Sequence, residues 1–127
     1  MPSTDIPNDF LPLRKSSPFL DNFGPLYERT TSEGVDVGLQ IEPRHTNNRS
    51  LAHGALLFSL ADMALGMSIA LASQEAHGLT VSMSLDFLRP TRLGDWVVAR
   101  ARVQHVGGTL GFASCTLVVN DTPTARA

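Results

Sequence analysis

Hydrophobic and polar residues along this chain follow two periods. Val35, Val37, Leu39 and Ile41 alternate with Asp36, Gly38 and Gln40, the two-residue repeat of a half-buried strand, and Pro43 ends it. Residues 27–31 precede it as an expected partner strand, and residues 44–50 are polar, of the kinds that turn or cap. Residues 52–72 contain no proline and are dominated by Ala, Leu, Met and Gly, which predicts one helix despite a cost of about 1 kcal/mol each for Gly54 and Gly66. That helix is apolar nearly all the way round, so it must be covered on most sides. After Gly78 the period returns to two. Leu79, Val81, Met83, Leu85 and Phe87 alternate with Thr80, Ser82, Ser84 and Asp86, predicting a long strand that Pro90 ends. Residues 96–106 and 109–119 read as two further strands joined at Gly107-Gly108, and residues 121–127 as the start of another, cut short after Ala127. The order predicts an α+β domain in which a curved antiparallel sheet wraps one long apolar helix.

Composition narrows the setting. A chain of 127 residues is one domain's worth; Pro2, Pro7, Pro12 and Pro18 mark residues 1–18 as a flexible arm, leaving 19–127 as a single folded domain. A net charge of −2 offers no basic footprint for nucleic acid. The apolar stretch approaches the ~20 residues that span a bilayer, but Asp62 near its centre would cost about 2.5 kcal/mol or more there, which argues against a membrane span. Cys115 is the only cysteine, so it reads as a small packed strand residue, with no internal disulfide and no multi-cysteine metal site. His45, His77 and His105 show no metal-ligand spacing and read as turn or surface residues, and no cofactor is called for. The opening MPSTDIPNDF lacks the basic and apolar run of a signal peptide, so a cytoplasmic address is expected.

Two features invite chemistry. Asp62 is the only charged side chain between His53 and Gln74, and a carboxylate in an apolar helix must be protonated, hydrogen-bonded or used. His53-Gly54 opens the same helix, where backbone N–H groups lack intrahelical partners and a glycine lets a ligand approach its amide closely. On these residues alone, a structural aspartate bonded to backbone or to an arginine and a glycine-containing helix start remain open beside the functional readings.

Together Asn47, His53, Gly54 and Asp62 form N-x5-H-G-x7-D within NNRSLAHGALLFSLADMALG. With FLDNFGPLY before it and VSMSLDFLRP and LGDWVVARARV after it, the chain from Phe19 onward resembles the hotdog-fold acyl-CoA thioesterases of the phenylacetate-degradation type. The resemblance implies hydrolysis of acyl-CoA at a site between two subunits, and the edges that long strands such as 79–88 leave open in a monomer call for a homodimer or dimer of dimers. It assigns the Gly54 N–H to the thioester carbonyl with His53 beside it, Asn47 to orienting substrate or water, Asp62 as general base or nucleophile, and Thr80 as the hydroxyl that steadies Asp62. A thiolate leaves readily, so little acid assistance is needed. Arg89 and Arg92, flanking Pro90, are candidates for the CoA phosphates. The sequence departs from the family at Ala55, where a second glycine is usual, which bears on acyl-chain fit. The competing readings are a hotdog acyl-thioester dehydratase or hydratase, which needs an acid and a base across the substrate, and a non-catalytic acyl-CoA-binding module, which does not need Asp62.

Overall fold

A computed structural model describes residues 6–74 and 78–127. One helix, α1 (Gly54–Ser73), lies against a seven-stranded antiparallel sheet. Its strands are β1 (Leu11–Pro12), β2 (Tyr27–Thr30), β3 (Val35–Gln40), β4 (Asp86–Phe87), β5 (Trp96–Val106), β6 (Gly111–Val119) and β7 (Thr122–Arg126), in the order β1-β2-β3-β5-β6-β7-β4. The alternation read from the sequence sets which side chains meet the helix. Val37 and Leu39 of β3, Val97 and Ala99 of β5 and Leu117 of β6 are fully buried with Leu57, Leu60, Ala61 and Ala64 of α1. Each fully buried Leu or Val side chain contributes about 1.5–3 kcal/mol, and the alanines let helix and sheet approach closely. Gln74, at a φ of 60°, ends α1 in the left-handed conformation.

Helix and sheet are also joined by one polar contact. Buried Ser68 accepts from the Val35 amide at 2.8 Å and donates to the carbonyl of Ala64 at 2.7 Å. Gly34 makes room for it, since a Cβ there would meet Ser68 Oγ at 2.7 Å and the Ala101 carbonyl at 2.8 Å. Ser68→Ala leaves the Val35 N–H buried without its acceptor, so a loss of about 1–3 kcal/mol is expected. Urea unfolding should show a lower midpoint with unchanged slope; an unmoved midpoint would contradict this account of the contact.

The structure differs from the sequence reading in two places. The long strand expected over 79–87 is paired only at Asp86–Phe87, with β7, and residues 78–85 form no ladder with any described residue. Period two marks a segment as extended, but a ladder needs a neighbour, and the described residues supply none beside 78–85. The β5–β6 connection is longer than a two-residue turn, because β6 begins at Gly111 and the Gly107 amide donates to the Leu110 carbonyl at 2.8 Å. On the side of the helix turned away from the sheet, Phe58 remains exposed. Residues 6–18 run along the sheet, and buried Phe10 meets Trp96 edge-to-face at 5.3 Å on the side away from α1, where Val98 and Val118 join it. Arg29 lies over the Phe10 ring and pairs with both Asp9 and buried Asp36 at 2.7 Å. The Arg29 guanidinium holds the Asp9 carboxyl below its usual range.

Candidate active site

The start of α1 is built by the loop before it. Asn47 Oδ1 accepts the amides of Arg49 at 2.8 Å and Leu51 at 3.3 Å, and the Asn47 amide donates to the Leu51 carbonyl at 2.8 Å. This turn delivers His53 in extended conformation as the helix N-cap. His53 Nδ1 accepts the Ala55 amide at 3.1 Å, and the His53 carbonyl takes the amides of Leu56 at 3.0 Å and Leu57 at 3.2 Å. Of the first four helical amides, that leaves Gly54 without a hydrogen-bond partner among the described residues. The free N–H stands where the helix dipole favours negative charge. The Phe87 ring lies close to Gly54: a Cβ there would be 3.2 Å from Phe87 Cζ. A side chain at position 54 would therefore press on the Phe87 ring.

Two turns along, Asp62 is half-buried, and its Oδ1 accepts the hydroxyl of Thr80 at 2.5 Å. No cation pairs with this carboxylate among the described residues, and its second oxygen has no hydrogen-bond partner there. A carboxylate held at one oxygen and open at the other can accept a proton or attack an electrophile. Thr80 belongs to the unpaired 78–85 segment, so its one polar contact from there runs to the helix.

The predicted residues fall into groups. Asp62 and Thr80 are brought together, and Asn47, His53 and Gly54 share the loop and helix start. Gly54 and Asp62 are eight residues apart on one straight helix, a rise of about 12 Å, so they do not converge within one chain. Asn47 has its amide oxygen committed to the loop, leaving Nδ2 to donate. Arg89 donates to the Pro123 carbonyl at 2.8 Å. Arg92 bridges to Leu51 through its backbone and is exposed beside the Asn47 turn. His105 is exposed on β5 and stacks on Phe112, and His77 lies outside the described residues. His45 corrects the surface reading: it sits in a turn but is only 3% exposed, and both its ring nitrogens are engaged. Phe87 has no site role in the sequence reading, because its apolar alternation is visible there but its position close to Gly54 is not. Cys115 is buried, and burial pushes its thiol up to about 12, so it is protonated and inert at neutral pH. Among the described residues no group of three His, Cys, Asp or Glu side chains can hold a metal ion.

A helix whose first amide is open, packed on an antiparallel sheet and carrying a lone carboxylate two turns on, defines a hotdog protein of the thioesterase class. Residues 50–125 match the family model described as the thioesterase superfamily, and the chain belongs to that superfamily. Among its relatives, a Pseudomonas aeruginosa protein named "Putative esterase" is 38% identical over 115 residues, covering 89% of this chain and 86% of that one. The acyl-coenzyme A thioesterase PaaI of Escherichia coli is 34% identical over 82 residues, 65% of this chain and 57% of its own length. The solved structure of E. coli PaaI, described as a protein of the phenylacetic acid degradation operon, superposes with a TM-score of 0.71 at 30% identity. It covers 80% of this chain and 77% of that one.

Proposed function

We propose that the chain hydrolyses acyl-CoA thioesters to the free acid and CoA at a site shared by two copies. The observation that carries this reading is the Asp62–Thr80 pair: a carboxylate in an apolar helix, steadied at one oxygen by a hydroxyl and open at the other. The Gly54 N–H donates to the thioester carbonyl and to the oxyanion that develops there. Asp62 either takes the proton of an attacking water, so that the C–S bond breaks to give the acid and CoA thiolate, or attacks the carbonyl carbon itself, expelling the thiolate to leave an acyl–Asp62 anhydride that water then hydrolyses to the acid and the free carboxylate. Asn47 Nδ2 and His53 border the carbonyl site, and Arg92 and Arg89 offer guanidinium groups to the CoA phosphates. The name of the E. coli relative supports the substrate class.

Two copies are needed because Gly54 and Asp62 of one helix lie too far apart for one carbonyl, which requires its attacking group within about 3.5 Å. The exposed surface supports the pairing. Leu79 is 94% and Val81 79% exposed on the unpaired 78–85 segment, whose Thr80 bonds Asp62 on the uncovered side of α1, where Phe58 is also exposed. An open apolar strand edge is a template for a second strand, and a two-fold axis supplies one in antiparallel sense, laying the two helices alongside each other. Against a dehydratase, His53 has no carboxylate partner among the described residues, and its Nδ1 is occupied by the Ala55 amide.

The purified protein should release free thiol from acyl-CoA when assayed against aliphatic and aromatic acyl groups. No release above the spontaneous rate from any of them, with the same compounds binding, would favour the binding-module reading instead.

A further inference from the structure

Two guanidinium groups near the helix start are unengaged. Elsewhere Arg14, Arg29, Arg100, Arg102 and Arg126 pair with carboxylates, and Arg44 and Arg89 donate to backbone carbonyls. The side chains of Arg49 and Arg92 make no ion pair or hydrogen bond among the described residues, and both residues are exposed. Their backbones, by contrast, are fixed. The Asn47 turn takes the Arg49 amide at 2.8 Å, and Ser50 leaves it in the left-handed conformation at a φ of 60°. Asp95 Oδ2 accepts the Arg92 amide at 2.7 Å, and the Asp95 amide donates to the Arg92 carbonyl at 3.0 Å, a turn that places Gly94 at a φ of 89°. These two turns are stitched together. Leu51 bridges to Arg92, the Leu93 amide donates to the Ser50 carbonyl at 3.3 Å, and the Ala52 amide to the Thr91 carbonyl at 2.8 Å. Since Arg49 is two residues from Leu51, the Cα atoms of the two arginines are at most about 13 Å apart, a gap that two arginine side chains can close around one anion. No acidic residue lies between Glu42 and Asp62, and Asp95 spends one oxygen on the Arg92 amide rather than on its guanidinium. Positive charge is therefore left open here, in a chain whose net charge is −2.

We infer that Arg49 and Arg92 form a two-guanidinium clamp for the phosphates at the nucleotide end of CoA, and that Arg49 is a specificity-determining residue for the carrier of the acyl group. The planar fork of arginine matches phosphate oxygens in pairs, and two forks rooted on turns that are already ordered lose little freedom on closing. The placement suits the ligand. Five residues separate Arg49 from Gly54, so its Cα lies no more than about 18 Å from the open amide. CoA carries its phosphates at the far end of the pantetheine arm from the sulfur, so a phosphate site belongs at a distance from the carbonyl site and not beside it. Gly54 and the clamp lie on the same chain, so one copy holds both ends of the CoA thioester while the other supplies Asp62. Arg89 has its guanidinium on the Pro123 carbonyl and is the less available cation. The inference rests on the thioester reading for the identity of the ligand, but not for the open charge.

Two readouts on the full chain test the clamp: calorimetric titration with CoA itself, which needs no reaction, and the ratio of kcat/KM for hexanoyl-CoA to that for S-hexanoylpantetheine, which lacks the phosphates. Arg49→Gln and Arg92→Gln should each weaken CoA binding about tenfold and lower the ratio by a similar factor, chiefly through KM for the CoA ester. Added salt should weaken CoA binding to the wild type more steeply than to the double variant. Arg102→Gln removes the same charge from the face of β5 turned away from the helix, where Ala101 on the other face joins the core. It should leave both readouts at their wild-type values, which separates contact from net charge. Dephospho-CoA locates the anion: a loss that persists with it assigns the clamp to the diphosphate, and one that vanishes assigns it to the ribose phosphate, either of which supports the clamp. CoA binding unmoved by Arg49→Gln, or lowered equally by Arg102→Gln, overturns the clamp and leaves hydrolysis standing. Loss of CoA affinity in Arg49→Gln, with no thiol release from any ester by the wild type, supports the clamp and overturns hydrolysis.

Discussion

Replacing Asp62 with Asn is expected to lower turnover by at least ~100-fold without disturbing the fold. The two side chains have nearly the same shape, and the amide oxygen of Asn can still accept the Thr80 hydroxyl, so the one polar contact that holds residue 62 survives. What disappears is the basicity and nucleophilicity of the open oxygen. Because the position is half-buried and makes no ion pair among the described residues, no charge is left stranded by the change. Far-ultraviolet circular dichroism and the thermal midpoint should match wild type while thiol release collapses. Wild-type turnover in a folded Asp62→Asn protein would remove the carboxylate from the mechanism.

Much of this architecture is legible in the order of residues, because period is a strong signal. The alternation from Val35 to Ile41 marks β3 and its inward face, the proline-free run after Ala52 marks α1, and the solitary charge in that run singles out Asp62. What stays hidden depends on distant partners. The burial of His45 is made by a carbonyl 22 residues away and by a neighbouring amide, and backbone groups leave no mark in a sequence. Phe10, Tyr27 and Trp96 meet on the outer face of the sheet because strand register brings them there, although no periodic pattern links them. The unpaired stretch at 78–85 is the reverse case. Its alternation is clear, yet the strand it calls for is not among the described residues. The Asn47 turn is local enough to be read from Asn-Asn-Arg-Ser, and it gives Asn47 a structural duty beside any contact with substrate.

That structural duty guides the design of the most direct test, which asks whether one chain's Gly54 works with another chain's Asp62. The site should be disabled from the Gly54 side without touching Asn47, whose loss would unmake the loop. Gly54→Pro removes the open N–H at the first helical position, where proline is tolerated. The preceding residue, His53, already has the extended conformation a following proline demands, with φ −64° and ψ 136°. Phe87 is exposed and free on its outer side to yield to the added ring. Asp62→Asn chains and Gly54→Pro chains, each inactive alone, are mixed, unfolded and refolded together, and light scattering should show dimers or dimers of dimers. Random pairing makes about half of the dimers mixed, and each mixed dimer carries one intact site of two, so activity should recover to roughly a quarter of wild type. A refolded mixture that demonstrably contains mixed dimers yet remains as inactive as either parent would place the whole site within one chain and contradict the account.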